Sequence, residues 1–579
     1  MKKLMLGNEA IARGAFEAGV GVVSSYPGTP STEITQYVST YDEIYSEWAP
    51  NEKVSLEVAV GASFAGARAL CAMKHVGLNV ASDVLFTTSY SGINGGLCIC
   101  VADDPGMHSS QDEQDSRHYA RASKVPMLEP SDSDECKNFV VKGMEISEEY
   151  DTPVLIRLST RISHGRSLVE TNDPIKRSGK FTPNPEKYVM MPLYARAKHP
   201  LVEKRIKNLI NFSEKTNLNK IEYNDKKIGV ICAGTSYNYS KEALGDTVSY
   251  LKLGMVYPLP EKIIREFASN VETCFVIEEL DPFIEEHCLK LGIKVVGKEK
   301  LTLIGEYTPE MIKAAVTGIP EENSAYALPE AIPGRPPVMC AGCSHRAAFT
   351  AIKQLGLNVH GDIGCYTLSA APVLSAMYAQ ICMGASIGMA HGAEKAAPYL
   401  SEPLPKSVAV IGDSTFVHNG ITGLIDAVYN KGTCTVVILD NSTTGMTGHQ
   451  DHPGTGKTIK GEPTHKLDLF ALCKACGVNR VTKVDPHDLE KFKAILMEEV
   501  DAKEVSVIIA ERPCALLKTT VHGTKKTIDK NKCKNCMLCM KIGCPAIGKR
   551  GDEISIDAAI CVGCEYCGVI CKFDAIANV

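Results

Sequence analysis

The chain has 579 residues, of which 44% are hydrophobic and 22% charged, with a formal net charge of -6. That length exceeds one core and predicts about three to five domains. The charge leaves no global basic face for a nucleic-acid partner.

Glu9 and Arg13 interrupt the opening MKKLMLGNEAIARGAFEAGV before the apolar core of an export signal forms, so an amphipathic helix is expected there. Residues 1–175 then alternate strand and helix patterns. VGVVSSYPG reads as a strand ending in a turn, and SLEVAVGASFAGARAL as a helix with small residues on a packed face. TPVLIRLS is continuously apolar and reads as a buried strand. This alternation predicts a parallel α/β sheet. Residues 176–226, rich in Lys, Asn and Pro, suggest a linker carrying one helix. A second α/β domain is expected over 190–305, with KKIGVICAGTSYNYSKEAL as strand, turn and helix and CFVIEEL as another buried strand. The Pro-rich YALPEAIPGRPP marks a boundary. A third α/β domain, 336–515, carries SVAVIGDSTF, GTCTVVILDNSTTG and EVSVIIAERP as strands. The fold class expected is therefore α/β, with three doubly wound parallel-sheet domains followed by a small cysteine-rich domain at 525–579.

From Ile363 to Gly392 the chain is uncharged and long enough to cross a bilayer. Its Gly, Ala, Ser and Thr content, with Pro372, Gln380 and His391, suits a closely packed segment near a ligand better than a membrane helix. With neither export nor membrane signal, a reducing cytoplasm is expected. There, clustered cysteines favour metal over disulfides.

The tail places Cys533, Cys536 and Cys539 two residues apart, then four residues before Cys544 and Pro545. It repeats the pattern as Cys561, Cys564 and Cys567, then three residues before Cys571. Two-cluster ferredoxins use this spacing, with the fourth cysteine crossing to the other cluster. Cys533, Cys536, Cys539 and Cys571 are thus assigned to one [4Fe–4S] cluster, and Cys544, Cys561, Cys564 and Cys567 to a second. Zinc sites rarely need a third closely spaced cysteine. The first run is one residue longer than usual, and Lys572 stands where Pro is common.

In the third domain, Gly412, Asp413 and Ser414 end one strand, and Asn441 ends another after 27 intervening residues. An aspartate and an amide oxygen at neighbouring strand ends suit one Mg²⁺ with a phosphate ligand. The spacing is close to the thiamine diphosphate motif, GDG and then Asn, with Ser414 replacing the third glycine. PGTGKT at 453–458 imitates a nucleotide loop, but Asp451 stands where its first glycine belongs. Thiamine diphosphate enzymes also need a carboxylate at N1′ of the aminopyrimidine, from a different domain. Glu57 is the candidate and Glu52 its competitor; either also suits a solvated carboxylate stabilised by a helix N-terminus.

Over nearly its whole length the chain resembles the 2-oxoacid:ferredoxin oxidoreductases. The resemblance rests on SSYPGTPSTE, NEKVSLEVAVGASFAGAR, CAGCSHR, GDIGCYTL, GDSTF with LDNSTTGMTG, and the tail with its lengthened first run. It implies a pyrimidine-binding domain at 1–175, a transketolase C-terminal-like domain at 190–305, a diphosphate- and Mg²⁺-binding domain at 336–515 and a ferredoxin-like domain at 525–579. The implied reaction is oxidative decarboxylation of an aryl pyruvate, with CoA taking the acyl group and ferredoxin the electrons. Pyruvate or 2-oxoglutarate as substrate, or a non-oxidative decarboxylase, are the alternatives. By the same resemblance Asp413, Asn441 and the Thr443 backbone oxygen ligate Mg²⁺, Glu57 serves the aminopyrimidine, and Thr29 lies near the reacting carbon. A small beta subunit completes the enzyme. Cys340, Cys343, Cys365 and Cys514 suit a third cluster beside the cofactor, as in the family's pyruvate enzymes, or a set of buried structural thiols. His345 and Arg346 suit a diphosphate or CoA, or a core or surface role. Nine Lys/Arg against six Asp/Glu from residue 525 onward suit docking of an acidic ferredoxin, with Lys534 and Lys541 as test positions.

Overall fold

The structure, a computed structural model, describes residues 2–176, 179–319 and 336–579. The chain forms two compact units, Met1–Ala327 and Leu328–Val579. Most of YALPEAIPGRPP lies outside the described residues.

The first unit is built on a seven-stranded sheet ordered Met255–Tyr257, Met127–Leu128, Val154–Ser159, Leu97–Asp103, Ala69–Lys74, Val22–Ser25, Tyr45–Trp48. All pairings are parallel except that of Met255–Tyr257. Leu97–Asp103 and Val154–Ser159 are buried along their whole length. A parallel strand covered on both faces reads as a continuous apolar run, and these do. The helix Glu52–Ala65 starts at Asn51, whose side chain accepts the Val54 N–H, and stops at Gly66, at φ 103°. It buries Ser55, Leu56, Ala59 and Ser63, the small-residue face expected. The opening segment differs from expectation: Lys2–Leu6 pairs with Arg166–Glu170 as a strand, and the helix begins at Gly7. Residues Lys2, Lys3, Leu4, Met5 and Leu6 form that short edge strand ahead of the helix, with Met5 buried.

A second sheet in this unit orders Thr273–Ile277, Ile228–Ala233, Ser249–Leu253 and Lys220–Glu222. Its segment also lends Met255–Tyr257 to the first sheet. Buried ion pairs brace this unit, one of them between the two sheets. Arg157 pairs with Asp103 and Glu129, each at 2.7 Å. Arg117 pairs with Asp115 at 2.6 Å and, across the sheets, with Glu278 at 2.5 Å. Removing one member of such a set strands a buried charge.

The second unit contains a five-stranded parallel sheet ordered Asn358–His360, Ser407–Gly412, Thr435–Asp440, Ser506–Glu511, Arg480–Val484. The tail adds two small antiparallel pairs, Lys526–Ile528 with Ile576–Asn578 and Ile547–Arg550 with Glu553–Ile556. Its core of Ile542, Ile547, Ile554, Tyr566 and Cys567 includes Ala347 from the helix His345–Gln354. Among the described residues no helix is long and apolar enough to cross a membrane.

Glu279 accepts the Tyr307 N–H, and burial pushes its carboxyl up to about 7 from the usual 4.5. Its contribution to stability is therefore present at low pH and lost as pH rises through about 5 to 7. Glu279→Gln keeps the acceptor and removes the ionisation. Against the wild type it is expected to gain up to about 3 kcal/mol by pH 8 and nothing near pH 4, in urea unfolding across pH. Superimposable pH profiles would contradict this.

Candidate functional site

The carboxyl ends of Ser407–Gly412 and Thr435–Asp440, adjacent and parallel, deliver Asp413 and Asn441 side by side. Asp413 is buried, its carboxylate accepting the Ser414 N–H at 2.8 Å and the Ser442 N–H at 2.9 Å. Burial pushes this carboxyl up, but His452, 3.2 Å away, together with the Ser414 N–H and Asp440, holds the group below its usual range. Burial and the charge of Asp413 push neighbouring Asp440 up to about 6. Asn441 Oδ1 accepts the Thr443 N–H at 3.3 Å, and its Nδ2 lies 3.2 Å from His345 Nε2. His345 is buried, and its pKa is lowered to about 4, so the imidazole is neutral and able to accept from that amide. The Ser414 hydroxyl accepts from Thr444 at 2.8 Å, tying the two strand-end loops together. Crowded carboxylates with an amide oxygen form a hard-oxygen set that fits Mg²⁺.

The same edge of the sheet gathers four thiols. Cys340 and Cys343 lie in the turn before the helix His345–Gln354, Cys365 follows Asn358–His360, and Cys514 follows Ser506–Glu511. Cys343 is within electrostatic reach of Cys340 and Cys365, and Cys365 and Cys514 are each within reach of Cys340 and of one another. Burial pushes Cys343 up to about 12 and Cys365 up to about 11. Clustered thiols of this kind ionise when a bound cation takes up their charge. They are continuous with the oxygen site. Cys514 N–H donates to the Asn441 carbonyl at 2.9 Å. A Cβ added to Gly445 would lie 3.4 Å from Cys365 Sγ and 3.6 Å from Asn441 Nδ2. Tyr366, next to Cys365, accepts the Gly412 N–H at 3.0 Å and donates to the Ile363 carbonyl at 3.0 Å.

In the tail, Cys539 is grouped with Cys533, Cys536 and Cys571. Cys567 is grouped with Cys544, Cys561 and Cys564. These four line one cavity. Lys526 and Gly563 donate backbone N–H groups to Cys561 Sγ, and Ala575 to Cys571 Sγ, each at 3.4 Å. Asn535, Met537 and Glu565 hold positive φ, turning the loops so that the thiols converge. The residues fit two [4Fe–4S] clusters with the fourth cysteine exchanged.

In the first unit, Thr29 is half-buried just beyond Val22–Ser25, and its carbonyl accepts from Ser109 at 3.3 Å. Gly28 packs on Lys74, a Cβ there lying 3.3 Å from Lys74 Cβ. Glu57 and Glu52 separate cleanly. Glu57 is 44% exposed and pairs with Lys53, whereas Glu52 is 5% exposed and packs against Gly77. Gly61, one turn beyond Glu57, has open space where a side chain would be. A flat ring has room to approach Glu57 there.

Of the roles left open for Arg346, the structure supports the buried one: its guanidinium is occupied by the carbonyls of Met339, Cys340, Ile542 and Gly543. Sequence reading also passed over His452, in the stretch beside the imitation nucleotide loop, and over Tyr366. Tyr366 stands inside GDIGCYTL, beside Cys365, but its role there and that of His452 emerge only when the fold brings them to the site.

Residues 13–228 match the family described as "Pyruvate flavodoxin/ferredoxin oxidoreductase, thiamine diP-bdg". Residues 362–510 match "Thiamine pyrophosphate enzyme, C-terminal TPP binding domain". The indolepyruvate oxidoreductase subunit IorA of Archaeoglobus fulgidus is 40% identical, across 99% of this chain and 97% of its own. That of Methanothermobacter thermautotrophicus is 39% identical, across 99% and 97%. A 2-oxoglutarate synthase subunit KorA from Methanocaldococcus jannaschii is 23% identical, across 55% of this chain and 99% of its own. Fold, site and matches define a thiamine diphosphate-dependent oxidoreductase of the 2-oxoacid class. Within it, the chain belongs to the family of indolepyruvate oxidoreductase subunit IorA.

Tyr366→Phe leaves the Gly412 N–H without the Tyr366 hydroxyl, while the Ile363 carbonyl keeps the Thr415 hydroxyl as donor. It is expected to cost about 1–3 kcal/mol, read as faster hydrogen exchange at the Gly412 amide. Unchanged exchange there would contradict the bracing role.

Proposed function

We propose that the chain is the catalytic subunit for oxidative decarboxylation of indolepyruvate. CO₂ leaves, CoA takes the indoleacetyl group, and two electrons pass singly to a ferredoxin. The observation that carries this reading is the continuity of the Asp413–Asn441 oxygen site with the four thiols around Cys365, through the Cys514–Asn441 hydrogen bond. The curated IorA relatives supply the substrate by name.

On this reading residues 1–175 hold the aminopyrimidine, 336–515 the diphosphate, and 525–579 two clusters; 190–305 form the transketolase-like domain. Bound thiamine diphosphate supplies a carbanion at its thiazolium and an electron sink for the decarboxylated substrate. The chain's own residues do the rest. Glu57 holds a proton at the aminopyrimidine, and Thr29 lines the place of the reacting carbon. Asp413, Asn441 and Thr443 hold Mg²⁺, with Gly412 and Ser414 beside the diphosphate. Neutral His345 orients the Asn441 amide, and His452 keeps Asp413 ionised. Cys340, Cys343, Cys365 and Cys514 would hold a third [4Fe–4S] cluster, and the clusters held by the tail cysteines would supply the outward path for the electrons. A small beta subunit completes the enzyme, and the basic tail surface meets the acidic ferredoxin. Among the described residues no two cysteines form a disulfide, and a reducing cytoplasm is the compartment that belongs to this reading.

Purified anaerobically with its partner subunit, the enzyme is expected to reduce a viologen dye with indolepyruvate only when CoA is present. Aldehyde release without an acceptor would overturn the oxidative reading. Asp413→Ala is expected to abolish retention of thiamine diphosphate while iron content stays unchanged. In the tail, Cys571→Ala is expected to remove the cluster of Cys533, Cys536 and Cys539 and spare the other. Loss of the cluster of Cys561, Cys564 and Cys567 in its place would reject the exchanged assignment.

A further inference from the structure

Arg346 is 4% exposed and sits in the first turn of the helix His345–Gln354. Its fork spans two loops. Nη2 donates to the Met339 carbonyl at 2.5 Å and to that of Cys340 at 3.1 Å. Nη1 donates to the Ile542 carbonyl at 2.9 Å and to that of Gly543 at 2.5 Å. The first loop belongs to the Cys340–Cys343 turn. The second is the stretch between Cys539 and Cys544, the run one residue longer than the ordinary ferredoxin spacing. Gly543 turns there at φ 67°, which brings its carbonyl and that of Ile542 to one guanidinium.

The two thiol groups meet at this point. Gly342, at φ 70°, approaches so closely that an added Cβ would lie 2.4 Å from Val562 Cγ2 and 3.5 Å from Cys564 Cβ. Cys343 lines the same cavity as Cys544, Cys561, Cys564 and Cys567. Among the described residues Arg346 forms no ion pair, so a buried cation is answered by carbonyls alone. Burying an uncompensated charge is costly. A cubane bound by four thiolates is a net anion, more so once reduced, and the charge of Arg346 stands between two such sites.

We propose that Arg346 is the positioning residue for electron transfer from the Cys340–Cys343–Cys365–Cys514 centre to the tail, clamping the two cysteine loops in register and placing a fixed positive charge between them. This rests on the cluster assignments made under the proposed function. One electron at a time leaves the reduced first centre and reduces the tail centre of Cys544, Cys561, Cys564 and Cys567; no proton or further reactant is required. Only the guanidinium's planar fork reaches four carbonyls on two loops. Lysine keeps the charge but not that geometry.

Arg346→Gln and Arg346→Lys, prepared anaerobically as the full enzyme with its partner subunit, separate the two roles. Iron content is expected to match wild type in the lysine variant. In freeze-quenched samples mixed with indolepyruvate and CoA, the first centre is expected to reduce at the wild-type rate. The tail EPR signals are expected to appear roughly tenfold to a hundredfold later in both variants. In dithionite-poised EPR titrations, the glutamine variant is expected to have a lower tail reduction potential, because the reduced anion loses its cation, and the lysine variant one nearer wild type. Unchanged transfer rates and potentials with full iron would overturn the proposal. Iron loss in both variants would overturn it too, in favour of a role confined to folding. Wild-type clusters that dithionite reduces and indolepyruvate with CoA does not would defeat the proposed function, while the titration would still read the charge effect.

Discussion

The hydrogen bond from Cys514 N–H to the Asn441 carbonyl is the contact on which the second unit turns. It exists because Thr435–Asp440 and Ser506–Glu511 are adjacent parallel strands whose chains leave the sheet at the same edge. Parallel sheets gather ligands at that edge. Here two neighbouring strand ends carry the oxygen donors Asp413 and Asn441 and the next carries a thiol, Cys514. Gly445 completes the junction by bringing its backbone close to both Cys365 and Asn441. A cofactor anchored at the oxygens, as proposed, would thereby lie beside the thiols without any additional domain.

From that edge the chain continues into the tail, and its order is functional. The helix His345–Gln354 begins beside the Cys340–Cys343 turn, presents His345 to Asn441, and contributes Ala347 to the tail core. One helix start therefore touches the oxygen site, the first thiol group and the ferredoxin-like domain. The first unit uses a different device. Its two sheets are joined by the Arg117–Glu278 pair and the borrowed strand Met255–Tyr257.

What sequence alone revealed follows from how local each signal is. The tail cysteines were legible because each run packs three ligands within seven residues and the duplication supplies the fourth. Continuous apolar strands such as Val154–Ser159 were legible because both faces are buried. Asp413 and Asn441 were legible as strand-end polar residues. Arg346 stayed open between a ligand-facing and a buried role because its decisive acceptors lie 196 and 197 residues away. Tyr366 and His452 were missed for the same reason, since nothing near them in sequence announces the Gly412 amide or the Asp413 carboxylate as partners. Glu57 and Glu52 differ by five positions and by burial, which composition does not encode.

The central claim is that a third metal centre stands between the cofactor site and the tail. Iron counting on the anaerobic enzyme, combined with Mössbauer spectra after reduction by indolepyruvate and CoA, tests it most directly. The account predicts about twelve iron atoms per chain, in three cubane environments that substrate reduces. About eight, with Cys340, Cys343, Cys365 and Cys514 open to alkylation, would contradict it.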